Sequence, residues 1–510
     1  MPRRDSSVDR YAEIGILAVS GRRLIVRAAW PVLIFLGVAQ AYLGFRGHPG
    51  AIAFAFISIG SVIILSAWRG SGEGLPLVPM IAVQTLVAYG LPILNNNETV
   101  MAYSEADITA AGFEVLVFCL SLAGFWHFGM QLFTTSPPIC YALQGFDEEG
   151  MQRLSKIGFT MMGSAAAVQV FQALGLLDFI LGALPAGSGS IVNVFLAAAG
   201  ASGFFLAGML VGRGGVSGSL RFMFWFLLFT NCFISAATFL LSSTITIVFS
   251  ALIGLFWGSG RLPWRFIVLL LLVLSFFNLG KFTMRERYWR LNDGDPIPQF
   301  TLAEMPGHYA EWIEASVEAI NPEEPVGRRA TLEADKKKNS QSMLERINNL
   351  QNLLYIMDAI DRQKIAPVGG ATYSLIPPLL VPRILWPDKP RTHEGQVLLN
   401  VHFGRQDLNS TMSTYIAWGL LAEGYGNFGP IAGTIFIGAC LGLLFAWLEK
   451  MFARKILLSM EGFLSFTIFL GMANSFEMVA SVLVTTIFQA CIPVILACKP
   501  FVERVTPQRR

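Results

Sequence analysis

Hydrophobic residues in this 510-residue chain fall into long unbroken runs separated by short polar joints. The runs lie at about 24–44, 51–68, 76–94, 112–134, 156–177, 189–211, 220–240, 243–260, 264–281, 427–447, 456–475 and 478–498. Each is near the roughly 20 residues that a helix needs to cross a hydrocarbon core. They are continuous rather than alternating, which predicts helices and not barrel strands. Between the ninth and tenth runs the pattern changes. Residues 282–426 are polar and charged, and within them Leu344, Ile347, Leu350, Leu354, Met357 and Ile360 recur at three- and four-residue spacing. That spacing predicts one amphipathic helix near 341–362. The piece from Arg287 to Pro325 reads as irregular, and Leu408 to Leu421 reads as a short helix capped by Ser410 or Thr411.

Composition sharpens this picture. The chain is 54% hydrophobic and only 14% charged. The expected fold class is an all-α polytopic membrane protein of about twelve transmembrane helices. Residues 1–281 hold helices 1–9, 282–426 form one large loop, and 427–510 hold helices 10–12. No internal repeat is evident. The six cysteines show no CxxC spacing and no disulfide framework.

Charge sets the expected orientation. With the N-terminus inside, Arg69, Arg153, Lys156, Arg213, Arg221, Arg261, Arg265, Lys450, Arg454, Lys455 and the C-terminal tail share one side. The opposite short loops keep only Arg46. The positive-inside bias then places both termini in the cytoplasm and residues 282–426 outside. A net charge of +3 is too small to argue for nucleic acid as a partner.

The segment 376–426 is dense in Pro, Arg, Lys, His and aromatic residues, and Pro377, Pro378, Pro382, Pro387 and Pro390 rule out one long helix. Arg383, Lys389 and Arg391 lie close together on it. Arg285 and Arg287 leave the ninth run at the same expected face, and Arg346 sits off the apolar stripe. Such cations suit an anionic diphosphate, which Arg can grip through its planar fork. They equally suit lipid headgroups. Glu423 at the membrane edge is a candidate general base, with His402 and His393 as alternatives. Trp386, Tyr415, Trp418 and Tyr425 can stack on sugar faces or form an interfacial belt. Glu114 and Glu461, near span ends, draw suspicion because membrane carboxylates are costly.

The motifs PRILWPDKP (382–390) and EGYGNFGPIAG (423–433) resemble those of the Wzy-type oligosaccharide repeat-unit polymerases, in the O-antigen polymerase and ligase superfamily. The late, large outer loop extends the resemblance to overall layout. It implies an all-helical, multi-pass enzyme of the bacterial inner membrane, a glycosyltransferase using an undecaprenyl-diphosphate-linked oligosaccharide. Neither cofactor nor metal is implied. The bilayer is a partner, and a chain-length regulator protein is compatible. A ligase of the same superfamily is the alternative, and a transporter or flippase of lipid-linked glycans is another.

Overall fold

The computed structural model describes residues 14–143, 148–176, 188–289, 300–320, 348–381 and 385–505, apart from 215, 240, 260, 262, 387, 414–415, 458, 476 and 500–501. It is a helical membrane protein in which a helix covers most of every hydrophobic run. In order these are α1 (Ile14–Phe45), α2 (Ala51–Ser71), α3 (Leu77–Leu94), α4 (Glu98–Met101) and α5 (Glu105–Leu132). Then come α6 (Glu148–Ala173), α7 (Ser188–Arg213), α8 (Gly218–Ala236), α9 (Leu241–Ser259) and α10 (Trp264–Trp289). The polar region adds α11 (Met305–Ile320), α12 (Asn349–Asp361), α13 (Ala371–Ser374), α14 (Ile376–Leu380), α15 (Glu394–His402), α16 (Ser410–Ser413) and α17 (Leu420–Phe428). The chain closes with α18 (Ala432–Phe452), α19 (Met460–Ser475) and α20 (Ala480–Cys498). Among the described residues, seven helices are long and apolar enough to cross a membrane: α1, α2, α3, α5, α8, α10 and α18.

Two groups of helices share the molecule. One core joins α1–α3, α5 and α18 with α12 and α17, through residues such as Phe54, Phe118, Trp126, Leu354, Trp418 and Phe445. A second joins α6–α9 through Met162, Phe204, Phe224 and Ala251. The ends α19 and α20 carry residues of both sides, because Phe463 and Phe466 pack on Phe205 while Met472 and Leu483 belong to the first core. Gly438 and Gly442 let α18 close on α5: a Cβ there would meet Phe118 O at 2.9 Å and Leu122 O at 2.6 Å. Small residues at GxxxG spacing serve this close approach.

Loops gather at the two ends of the first group. At one end, Lys450 pairs with Glu73 at 2.9 Å, Lys455 donates to Pro137 O and Ile139 O, and Ile14 N–H donates to Lys455 O. Glu449 accepts from the N–H groups of Glu73 (2.6 Å) and Gly74 (3.0 Å) and from Trp126 Nε1. A short antiparallel pair, β1 (Cys140–Leu143) with β2 (Val502–Val505), ties the C-terminal stretch to this end. At the other end, α12 and the segments around it cover α4, α5 and α17.

Four expectations change. Asn348 caps α12 by accepting from Gln351 N–H at 2.9 Å, so the described helix spans Asn349–Asp361, and residues 341–347 lie outside the described residues. Its apolar face is also wider than expected, with Leu353 and Ile356 buried beside Leu350 and Leu354. Residues 305–320, expected to be irregular, form α11. Met305, Trp312, Ala315 and Ser316 turn inward at helical spacing, and Trp312 Nε1 donates to Phe277 O at 2.8 Å. The expected helix over 408–421 is interrupted. Gly419 takes φ +80°, its N–H donates to Glu477 O at 2.7 Å, and α17 starts after it. That left-handed conformation suits glycine alone at low cost. The break before the next span falls at Gly429 (φ +79°) to Ile431, so α18 begins at Ala432 rather than 427.

Candidate functional site

Side chains singled out in the sequence meet different fates. Glu423 is fully buried, and its Oε2 accepts from Ala480 N–H at 2.6 Å, so it caps α20 from the neighbouring helix. Burial pushes its carboxyl up to about 7. A general base must reach the acceptor hydroxyl, and Glu423 is buried as a cap, with its Oε1 unpartnered among the described residues. His393 bonds Gln396 through Nδ1 at 2.8 Å, and exposed His402 meets Ala366 O through Nε2 at 2.7 Å.

Among the described residues the expected cations do not converge. Lys389 is buried, and its ammonium donates to Leu379 O (2.8 Å) and Val381 O (2.5 Å), closing the C-terminal end of α14. Arg391 pairs with Glu394 at 2.9 Å. Arg285 forks onto Phe239 O at 3.1 and 2.7 Å, and Arg287 pairs with Glu311 of α11 at 2.8 Å. The Arg285 and Arg287 partners belong to the α8–α11 side, whereas α14 packs on α20. Arg383, Arg346 and Tyr415 lie outside the described residues.

The expected aromatic platform also divides. Trp386 is exposed. Trp418 and Tyr425 are not surfaces for stacking: Trp418 is fully buried with Nε1 donating to Asn400 Oδ1 at 2.9 Å, and Tyr425 is 1% exposed with its hydroxyl on Asp361 Oδ2 at 3.0 Å. Glu114 accepts from Ile431 N–H and the Thr434 hydroxyl, holding the first turn of α18. Glu461 accepts from Tyr141 N–H.

A different set of groups comes together on α12. Opposite its apolar face, Asn352, Tyr355, Asp358 and Arg362 follow one another at three- and four-residue spacing, one polar stripe of a helix. Arg405 lies against this stripe. Its guanidinium sits over the Tyr355 ring at 5.2 Å and the Trp418 ring at 5.1 Å, and Nη1 donates to Asn352 Oδ1 at 2.9 Å. Both rings are locked, since the Tyr355 hydroxyl donates to Phe403 O at 2.9 Å and Trp418 is held by Asn400. Arg362 bridges Asp358 (3.1 Å) and Asp107 (2.5 Å) at the N-terminal turn of α5. Asp107 closes a capping box with Ser104. The Ser104 hydroxyl and the Arg362 guanidinium both donate to Asp107 Oδ2. Tyr103 completes the group. Burial and the charges of Asp358 and Asp107 raise its phenol, while Arg405 lowers it.

Sequence reading followed the apolar stripe of this helix and passed over the polar one. The signal was present at the same spacing, but Arg405 is distant in sequence and only the fold brings it in. The arrangement fixes a half-buried guanidinium between two locked rings and an amide on a rigid support.

Comparison of the chain with protein-family models, curated proteins and solved structures finds no match.

Proposed function

We propose that this multi-pass membrane protein is a glycosyltransferase that joins oligosaccharide repeat units carried on undecaprenyl diphosphate. In this reading the chain crosses the bacterial inner membrane about twelve times, keeps both termini in the cytoplasm, and works at the periplasmic end where α12 lies. The observation that carries the reading is the polar stripe of α12 held against Arg405, at the end of the helices opposite the Lys450–Glu73 pair. The resemblance of 382–390 and 423–433 to repeat-unit polymerases supports it.

The reaction breaks the bond between the anomeric carbon and the diphosphate and forms one to an acceptor hydroxyl. It needs a base for that hydroxyl and cations for the leaving group. Exposed Asp361, whose other neighbour is the Tyr425 hydroxyl, replaces Glu423 as the base we favour. Arg383 and Arg391 remain the cations assigned to the diphosphate.

Deleting the gene and running the cell's glycans on a gel tests the reading. Single repeat units without long polymer are expected. Polymer that is made but unattached would mean a ligase, and unchanged attached polymer would end the proposal. Asp361→Asn is expected to cut polymer synthesis about 10²-fold or more at unchanged protein level, the usual scale for a general base.

A further inference from the structure

Arg405 is held by two rings and an amide rather than by an acid. Among the described residues no carboxylate pairs with it. Asp358 Oδ1 and Oδ2 are taken by Arg362 and Gln363, and Asp107 Oδ2 is taken by Arg362 and Ser104. One of its five N–H groups bonds Asn352. The guanidinium is half-buried, and its orientation is fixed by two rings that are themselves fixed. A desolvated, pre-aligned fork without a counter-ion is built for an oxyanion.

We propose that Arg405 is the subsite for a carboxylate-bearing sugar, a uronate or similar acidic residue of the glycan. The local charge decides between carboxylate and diphosphate. The carboxylates of Asp107 and Asp358 are paired with Arg362, and exposed Asp361 beside it adds a further negative charge, so the surroundings of Arg405 carry no excess positive charge. A diphosphate carrying two or more negative charges meets two carboxylates there and is repelled. A single carboxylate matches a single guanidinium. Adjacent Tyr103, half-buried, adds a phenol ring suited to a pyranose.

This inference rests on the reading of the chain as an enzyme of lipid-linked glycans, but its test is separate. The full-length protein in detergent is titrated with trigalacturonate, with neutral maltotriose and with sodium pyrophosphate. Trigalacturonate is expected to bind at least tenfold more tightly than maltotriose. Arg405→Gln should erase that difference, and Arg405→Lys should restore only part of it, because an ammonium lacks the fork. Melting curves establish that each variant is folded. If Arg405→Gln fails to fold, Asn352→Ala leaves the charge but loosens its alignment, and an intermediate loss is expected. Equal binding of the two trisaccharides, no binding of either, a preference that survives Arg405→Gln, or pyrophosphate binding that depends on Arg405 would each overturn the subsite. Failure of the polymerase reading shows instead in the deletion strain, as unchanged polymer.

Discussion

The proline-rich segment 376–402 and the pair formed by α12 with residues 403–418 both belong to the long polar region, and both hold basic and aromatic side chains. They use them differently. In the first, Lys389 bonds two backbone carbonyls from a buried position and Arg391 pairs with an acid three residues away. In the second, Arg405 is gripped by rings and an amide. The difference teaches that density of charge in a sequence does not mark a site. The two charges differ in access: Lys389 is buried against carbonyl oxygens, whereas the Arg405 guanidinium is half-buried and has N–H groups beyond the one on Asn352.

The sharpest way to break the comparison is Lys389→Met. Two carbonyl oxygens lose a charged donor in a buried place. Each hydrogen bond to a charged group is worth about 1.5–3 kcal/mol, so a loss of about 3 kcal/mol in unfolding free energy is expected. Chemical denaturation in detergent measures it. Arg405→Gln should cost far less stability while removing function. If Lys389→Met leaves the melting curve in place, Lys389 is not the clamp described here.

Glu423 comes next. Glu423→Ala exposes Ala480 N–H to an apolar void and removes a helix cap, for about 2 kcal/mol. Glu423→Gln keeps an acceptor for that N–H and should cost less. The pH dependence separates them further. The folded chain raises this carboxyl from 4.5 to about 7. The folded state therefore holds the proton more tightly than the unfolded chain. Its contribution is full below the unfolded value of 4.5 and is lost as pH rises through about 7. Melting temperature of the wild type should fall between pH 5 and pH 8, and Glu423→Gln should flatten that fall. A steeper fall in the Gln variant would mean the carboxyl is ionised in the fold.

Much of the helical frame was legible in the sequence, because a bilayer demands long apolar runs and nothing else in a chain looks like them. The frame's ends were less so. α5 begins at Glu105, seven residues before the apolar run, because Ser104 and Asp107 form a capping box that needs no hydrophobicity. α11 was hidden by Glu311, Glu314 and Glu318, which outweigh its inward Trp312 and Ala315 by eye. The site was legible only in part. The sequence pointed to the long polar region 282–426, and both the α12 stripe and Arg405 lie in it. It could not say which acids are occupied. Glu423 sits in a motif and is a cap, while Asp361 stands at the end of a helix and meets a buried tyrosine. Such distinctions depend on contacts between residues tens of positions apart.

Arg391→Ala is the smallest expected effect on stability and the finest test of the comparison. Its pair with Glu394 spans three residues and is about one-third exposed on each side. Pairs of this kind contribute about 0.2–1 kcal/mol, so the melting curve should barely move. Activity then carries the information. If polymer falls sharply at unchanged stability, Arg391 touches the donor diphosphate despite its acid partner, and the proline-rich segment shares the chemistry with α12. If polymer length and amount stay normal, the segment's cations serve only to shape it, and the reacting groups lie around Asp361 and Arg405.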